Sequence, residues 1–179
     1  MKTYRLIPHP ASPPDKVRGV LVEVMATVDD LLLTFVVEGV EALRVPDWAV
    51  SERADGLWNT TCFELFLQAE GSDAYWEFNF SPSTQWAAYR FKGYREDMRD
   101  FPMTVDPFVE RGDEKSGYLV EVDFDLSDMP NIPLRMGLSA VIEEASGRKS
   151  WWALAHPPGA PDFHHEDCFA LELAAARTP

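Results

Sequence analysis

The chain has 179 residues, of which 46% are hydrophobic and 12% aromatic, a composition typical of a folded globular protein with a sizeable core. Its 30 acidic and 16 basic residues give a formal net charge of −14. This charge argues against nucleic acids and anionic membrane surfaces as partners, because both are bound through basic patches. We expect one domain spanning residues 1–179.

The N-terminal segment and the cysteines indicate the cellular compartment. The N-terminal segment lacks the apolar stretch of a secretory signal, and no apolar run is long enough to span a bilayer. Cys62 and Cys168 are too few for a disulfide framework, so we interpret both as free thiols. These features favour a cytoplasmic protein, with a secreted chain that has lost its signal as the alternative.

Alternation of apolar and polar residues, interrupted by turn-forming residues, predicts about ten short strands and almost no helix. The 14 Pro residues fall mostly between these runs, as expected for strands joined by tight turns. The predicted strands are Tyr4–Pro8, Val17–Val28, Leu31–Glu38, Cys62–Gln68, Tyr75–Ser81, Trp86–Lys92, Phe108–Arg111, Tyr118–Leu126, Leu134–Glu144, Lys149–His156 and Phe169–Ala174.

Two longer connections separate groups of predicted strands. Residues 40–54 are irregular, and we expect Pro46 and Trp48 to anchor them as a loop. Residues 96–107 are a linker that could hold one short turn of helix. Many short strands joined by turns predict an all-β fold, an antiparallel β-sandwich of jelly-roll type, with a β-barrel as the alternative.

The three predicted strands in the middle of the chain have the clearest alternation, which sorts their side chains into an apolar and a polar face. Glu64, Glu77 and Asn79 lie on the polar face, and we assign Trp86 and Arg90 to it as well. Aromatic rings beside carboxylates, an amide and a guanidinium often bind sugars, because rings cover C–H faces and polar groups take the hydroxyls.

Other interpretations of the polar face remain open. It could be the solvated face of an antiparallel sheet without a function, although a large aromatic such as Trp86 is unexpected there. It could be a protein-interaction or homodimer surface. Glu64 and Glu77 could also be the paired carboxylates of a glycoside-acting enzyme, but the chain has no nucleophile elbow, P-loop or dinucleotide-binding glycine pattern.

Residues 151–167 combine two adjacent Trp residues with three of the four His. Adjacent residues of a strand face opposite sides, so one of Trp151 and Trp152 belongs to the core and the other to the polar face. The register decides which of them it is.

The same segment offers candidate metal ligands. Asp162, His164 and His165, with His156 upstream, have suitable side chains, but their spacing matches no metal motif. Calcium held by acidic residues of this segment is equally compatible. The alternative is a Pro-fixed loop whose His and Asp side chains bind backbone groups, and we therefore predict no metal site.

The segment from Trp58 to Leu67 resembles family 9 carbohydrate-binding modules and the wider DOMON-like group of domains. In these proteins a Trp just before a strand is followed six positions later by a Glu and then by an apolar strand, as Trp58 is by Glu64 here. The run Tyr75–Pro82 resembles the next strand of the family, and the tail with its closing Phe-x-Leu-x-Leu pattern resembles the family's end. More narrowly, the chain is similar to small stand-alone bacterial DOMON-like proteins.

This resemblance implies a β-sandwich of jelly-roll type whose sheet binds a ligand. Two Trp residues would enclose a sugar, while Glu, Asn and Arg side chains bind its hydroxyls. Carried over, Trp58 is one wall, Trp152 (or Trp151) is the other, and Glu64 accepts from hydroxyls. Asn79 and Arg90 are added because they share the predicted polar face.

The expected function is therefore non-catalytic binding of a small carbohydrate or sugar-like ligand. No cofactor is required; calcium is compatible with the resemblance, whereas haem, which other members bind through Met and His, has no matching motif here. The predicted ligand-binding residues are Trp58, Glu64, Glu77, Asn79, Trp86, Arg90, Trp152 and His156.

Overall fold

The computed structural model describes residues 1–114 and 117–175, and their regular secondary structure is almost entirely β-strand. The described helices are three-residue 3-10 turns, Val40–Ala42, Leu57–Asn59 and Glu166–Cys168, and none is long and apolar enough to cross a membrane. The strands are β1 (Lys2–Pro8), β2 (Gly19–Ala26), β3 (Asp30–Glu38), β4 (Cys62–Ala69), β5 (Tyr75–Phe80), β6 (Trp86–Phe91), β7 (Arg99–Asp100), β8 (Phe108–Glu114), β9 (Gly117–Asp125), β10 (Leu134–Glu143), β11 (Lys149–Ala153) and β12 (Leu171–Leu173).

These strands form one curled antiparallel sheet that folds over itself as a sandwich, which confirms the predicted fold class. Sheet I has the order β8-β9-β3-β2-β1, and sheet II has the order β7-β6-β5-β4-β10-β11. β1 joins the two, because residues 2–6 pair with β2 whereas Ile7 and Pro8 pair with β11. β12 pairs with residues 134–136 at the start of β10. It lies on the same side of β10 as β11, which pairs with residues 139–143.

The core lies between the two sheets and is built from the apolar face of each. Phe35 of sheet I contacts Phe63 of sheet II with ring centroids 4.7 Å apart, and Phe78 contacts Phe124 at 4.6 Å. Each of these rings is fully buried, and burial of one such ring contributes roughly 1.5–3 kcal/mol. The apolar face predicted for β4 and β5 is thus confirmed as the core face of sheet II.

The face assignment of β6 was wrong by one residue. Trp86 lies opposite Phe80 and is buried in the core, and Arg90 lies opposite Trp76, so both belong to the core side of the sheet. Alternation separates the residues of a strand into two sets, but the length of the connection from the preceding strand decides which set faces the core. Ala87 and its alternate neighbours occupy the polar face instead.

Two loop predictions were also wrong, and the cysteine prediction was confirmed. The linker 96–107 contains the short strand β7 and no helix. Trp48 does not anchor its loop, since 65% of it is exposed. The loop is instead held by backbone groups, such as the carbonyl oxygen of Pro46, which accepts from Arg111 at 2.9 Å. Cys62 and Cys168 are both buried free thiols.

Trp152 points into the core, where it is 2% exposed and its indole N–H donates to Ser150 Oγ at 2.8 Å. We expect Trp152→Ala to lower the free energy of unfolding by about 3–5 kcal/mol, because it leaves a large cavity between the sheets. Trp151→Ala, on the other face of the same strand, is the matched control and should cost much less in urea denaturation. Equal losses, or a larger loss for Trp151→Ala, would contradict this register.

Candidate functional site

The polar face of sheet II is not exposed to solvent, because residues 161–169 fold over it. Phe163, Cys168 and Phe169 of this covering segment pack with Phe66 and Tyr75 in a second apolar cluster, outside the sandwich core. The interpretation of this face as an ordinary solvated surface is therefore wrong. Its carboxylates are enclosed between the sheet and the covering segment, where contact with water is limited.

A cleft of about 460 Å³ remains between sheet II, its covering segment and two loops. Its volume is within the range of small-molecule sites. Aromatic and apolar side chains form its walls, and charged side chains lie on its floor and at its rim. The lining residues are Trp58, Asn59, Glu64, Glu77, Phe91, Arg95, Met98, Val141, Lys149, Trp151, Pro161, Phe163 and His164.

Two tryptophans from different elements contribute to the cleft walls. Trp58 lies in a 3-10 turn that follows Gly56, whose φ of 71° is readily adopted only by glycine. Its ring is 37% exposed and meets the ring of Tyr89 edge-on, with centroids 5.9 Å apart. Trp151 lies on β11 opposite Val141 of β10, and both line the cleft. The second tryptophan is therefore Trp151.

Two glutamates on adjacent strands form the floor. The register pairs Glu64 with Asn79 and Phe66 with Glu77, so the two glutamates are diagonal neighbours on one face. They are only 3% and 5% exposed. Ser139 Oγ donates to Glu64 Oε2 at 3.0 Å, and Asn79 Nδ2 donates to Glu77 Oε1 at 2.7 Å.

Enclosure changes the proton affinity of this pair. Burial and then the nearby charge of Glu77 raise the pKa of Glu64 to about 8, against the opposing effects of the Ser139 hydrogen bond and Arg95. Burial raises the pKa of Glu77 to about 7, against the opposing effects of Asn79 and Arg95. Near neutral pH the two carboxyl groups together therefore hold about one proton.

Arg95 connects the loop after β6 to the covering segment. Its guanidinium pairs with Asp162 Oδ1 at 2.7 Å, and the hydroxyl of the preceding Tyr94 donates to Asp162 Oδ2. The backbone N–H of Arg95 donates to Tyr75 Oη at 3.2 Å, and this hydroxyl is 2.7 Å from His164 Nδ1. Burial and then the charge of Arg95 lower the pKa of His164 to about 4, so its imidazole is neutral at neutral pH.

The candidate metal ligands of the covering segment are engaged in other contacts. Asp162 binds Arg95 and Tyr94, and His165 Nδ1 accepts from the backbone N–H of Asp167 at 3.2 Å. Within residues 1–114 and 117–175, no group of three or more His, Cys, Asp or Glu side chains is arranged to hold a metal ion. These contacts match the interpretation of the segment as a loop whose polar side chains bind local groups.

The structure brings some of the predicted ligand-binding residues together and leaves others outside. Trp58, Glu64 and Glu77 line the cleft, and Asn79, two residues along the same strand, donates a hydrogen bond to Glu77. The remaining four were wrong as cleft residues, because the register or the path of the chain points them elsewhere. Trp86 and Trp152 lie in the core, Arg90 is exposed on the core side of the sheet, and His156 Nε2 contacts the Ile7 carbonyl oxygen at 2.8 Å, beside His9.

Sequence patterns missed other cleft residues. Arg95 and Met98 lie in a loop, where no strand alternation assigns them to a face. Lys149 belongs to β11, but that strand's register was open from the sequence. Its ammonium group donates to the Asn59 carbonyl oxygen at the rim of the cleft. For the cleft wall formed by β11, the sequence signal was the adjacent pair Trp151 and Trp152, because one of two neighbouring strand residues must face the cleft.

Comparison with known proteins gives structural relatives only. No protein-family model matches the chain, and no curated protein matches it. A candidate carbohydrate-binding protein from Bacteroides uniformis superposes with a TM-score of 0.67 at 15% identity, over 97% of this chain and 85% of that one. A family 9 carbohydrate-binding module from Caldicellulosiruptor kristjanssonii, solved with cellotriose, gives 0.51 at 15% identity, over 83% and 70%. The likeness of fold expected from the sequence is thus confirmed, and at this identity it establishes the fold alone.

The glutamate pair predicts how stability depends on pH. Both pKa values are raised above the usual 4.5, so between about pH 6.5 and 8 the folded chain holds a proton that the unfolded chain has released. The free energy of unfolding should therefore fall as pH rises, on the order of 1 kcal/mol per pH unit. His164 opposes this trend at the lower end of the window, because burial lowers its pKa from 6.5 to about 4 in the folded chain and the unfolded chain there binds a proton that the folded chain does not.

Urea denaturation between pH 6.5 and 8 measures this dependence. Glu64→Gln should flatten the slope and stabilise the chain at pH 8, because an amide of the same shape carries no charge. Glu121→Gln, at an exposed position of sheet I, is the control and should leave the slope unchanged. A Glu64→Gln slope equal to that of the unsubstituted chain would contradict the enclosure of this pair.

Proposed function

We propose that this chain is a non-catalytic carbohydrate-binding module whose cleft holds a single sugar unit or the end of a short oligosaccharide. The proposal is based on the side chains that line one cleft. Trp58 and Trp151 present aromatic surface, while Glu64 and Glu77 present hydrogen-bond acceptors. Sugar rings have apolar C–H faces and polar edges, and this combination suits both. The sandwich fold shared with a module solved with cellotriose supports the proposal.

The mode of binding follows from the positions of these side chains. The ring of Trp58 is held by its edge contact with Tyr89, and Trp151 is fixed by its strand, so little side-chain entropy is lost on binding. Solvent reaches Trp58, which is 37% exposed. Stacking on such rings contributes a few kcal/mol, and we expect dissociation constants on the order of micromolar to millimolar.

Intrinsic fluorescence with a panel of mono- and oligosaccharides tests this function. A binding sugar should change the fluorescence saturably, and Trp58→Ala and Trp151→Ala should each weaken binding at least about tenfold, because each removes one aromatic wall. Chelation of calcium should leave the affinity unchanged, since we propose that binding needs no cofactor. Isothermal titration calorimetry gives the affinities of variants that have lost a fluorophore.

Trp48→Ala is the matched control for these variants. Trp48 is 65% exposed and lies outside the cleft, so its loss removes a surface tryptophan without touching the proposed site. The affinity of the Trp48→Ala variant for the sugar should equal that of the unsubstituted chain. Unchanged affinity in both Trp58→Ala and Trp151→Ala would show that sugar binds elsewhere and would overturn the proposal.

A further inference from the structure

The two glutamates on the floor of the cleft each have one oxygen that the fold leaves without a donor. Glu64 Oε2 and Glu77 Oε1 accept from Ser139 and Asn79. No hydrogen bond reaches Glu64 Oε1 or Glu77 Oε2 from the described residues, and the Nε2 atom of His164 lies 3.7 Å from Glu77 Oε2, beyond hydrogen-bonding distance. Both residues line the cleft, so these two oxygens are open to a donor from a partner that the fold itself does not provide.

Charged side chains around the cleft do not supply that partner. Arg95 is paired with Asp162, and the Lys149 ammonium group is bound to the Asn59 carbonyl oxygen at the rim. The imidazole of His164 is held in its neutral form. The other titratable group beneath the pair is the thiol of Cys62, whose pKa is raised by burial and then by the two glutamates, so it carries no charge.

We propose that the missing cation belongs to the ligand, and that the cleft selects a pyranose bearing a free, protonated amine over the corresponding neutral sugar. This inference rests on the proposed function. An ammonium group is compact and offers three donors, so it can reach two free carboxylate oxygens at once, whereas a hydroxyl offers one donor. Charge-assisted hydrogen bonds of this kind are about twice as strong as neutral ones. Trp58 and Trp151 contact the sugar ring in the way proposed above for a neutral sugar.

The proton held by the glutamate pair gives the inference a second consequence. In the free protein, Glu64 and Glu77 share about one proton between pH 7 and 8, because burial disfavours the charged form of both and the nearby charge of Glu77 raises the pKa of Glu64 further. A bound ammonium group neutralises that repulsion and favours ionisation of both carboxyl groups. Binding of an amino sugar should therefore release protons, whereas binding of a neutral sugar leaves the shared proton in place.

Isothermal titration calorimetry tests this inference with glucosamine, galactosamine and mannosamine, each compared with its parent hexose and its N-acetyl derivative. At about pH 6.5, where a sugar amine is protonated, at least one amino sugar should bind tenfold or more tightly than both neutral counterparts. Titrations in two buffers with different enthalpies of ionisation should report proton release for the amino sugar alone. The N-acetyl derivative keeps the nitrogen but removes its charge, so it separates charge from shape.

The variant Glu64→Gln/Glu77→Gln should reduce the preference for the amine to less than about threefold while the neutral hexose still binds. Glu110→Gln/Glu121→Gln removes the same number of carboxyl groups from the exposed face of sheet I and should keep the full preference. Thermal unfolding of both variants checks that they fold.

The outcomes separate this inference from the proposed function. Hexoses that bind as tightly as their amino sugars, or a preference that survives the loss of both carboxylates, would overturn the inference and leave carbohydrate binding intact. The inference would also fail if amino-sugar binding released no proton. No heat or fluorescence change with any sugar of the panel would overturn the proposed function and the inference together.

Discussion

The pairing register of β4 with β5 is the constraint on which the cleft depends. It brings Glu64 and Glu77 to one face of sheet II and sends Phe63, Leu65 and Phe78 to the other. A shift of one residue between the two strands would turn one of them over, so that its carboxylate entered the sandwich core and its apolar side chains left it. The apolar side chains between the sheets therefore fix the position of the polar groups outside them, because the two sets alternate along the same strands.

Burial of the carboxylate pair has a cost that the surrounding structure offsets. Side-chain hydrogen bonds from Ser139 and Asn79 satisfy one oxygen of each group, and Arg95 contributes a nearby positive charge. The link from Arg95 to Asp162 also ties the covering segment to the loop after β6, which keeps the face enclosed. Polar groups retained in such an environment commonly mark a functional site, because they do little for stability.

The sequence predicted the sandwich and three of the residues that line the cleft, Trp58, Glu64 and Glu77, and the reasons for success and failure are physical. Alternation along β4 and β5 assigned Glu64 and Glu77 to the right face, because a strand's side-chain period is two residues. The same rule placed Trp86 on the wrong face, since the phase of β6 depends on the turn that precedes it. Arg95 lies in a loop and has a φ of 53°. A loop has no regular side-chain alternation, so the direction of its side chain could not be predicted from the sequence. The enclosure of the face by a distant C-terminal segment is a tertiary contact that local patterns do not encode.

The strand pairing also sets an order of events during synthesis. β1 ends against β11, and β4 pairs with β10, so sheet II depends on partners that are at least 65 residues apart, the separation of Ala69 and Leu134. Contacts of such long range are slow to form, because the intervening chain must be ordered before they contribute any free energy. While a ribosome is still synthesising β10, β1 and β4 lack these partners. Trp151 and the covering segment, which complete the cleft, come later still, so ligand-binding competence is acquired only when nearly the whole chain has emerged.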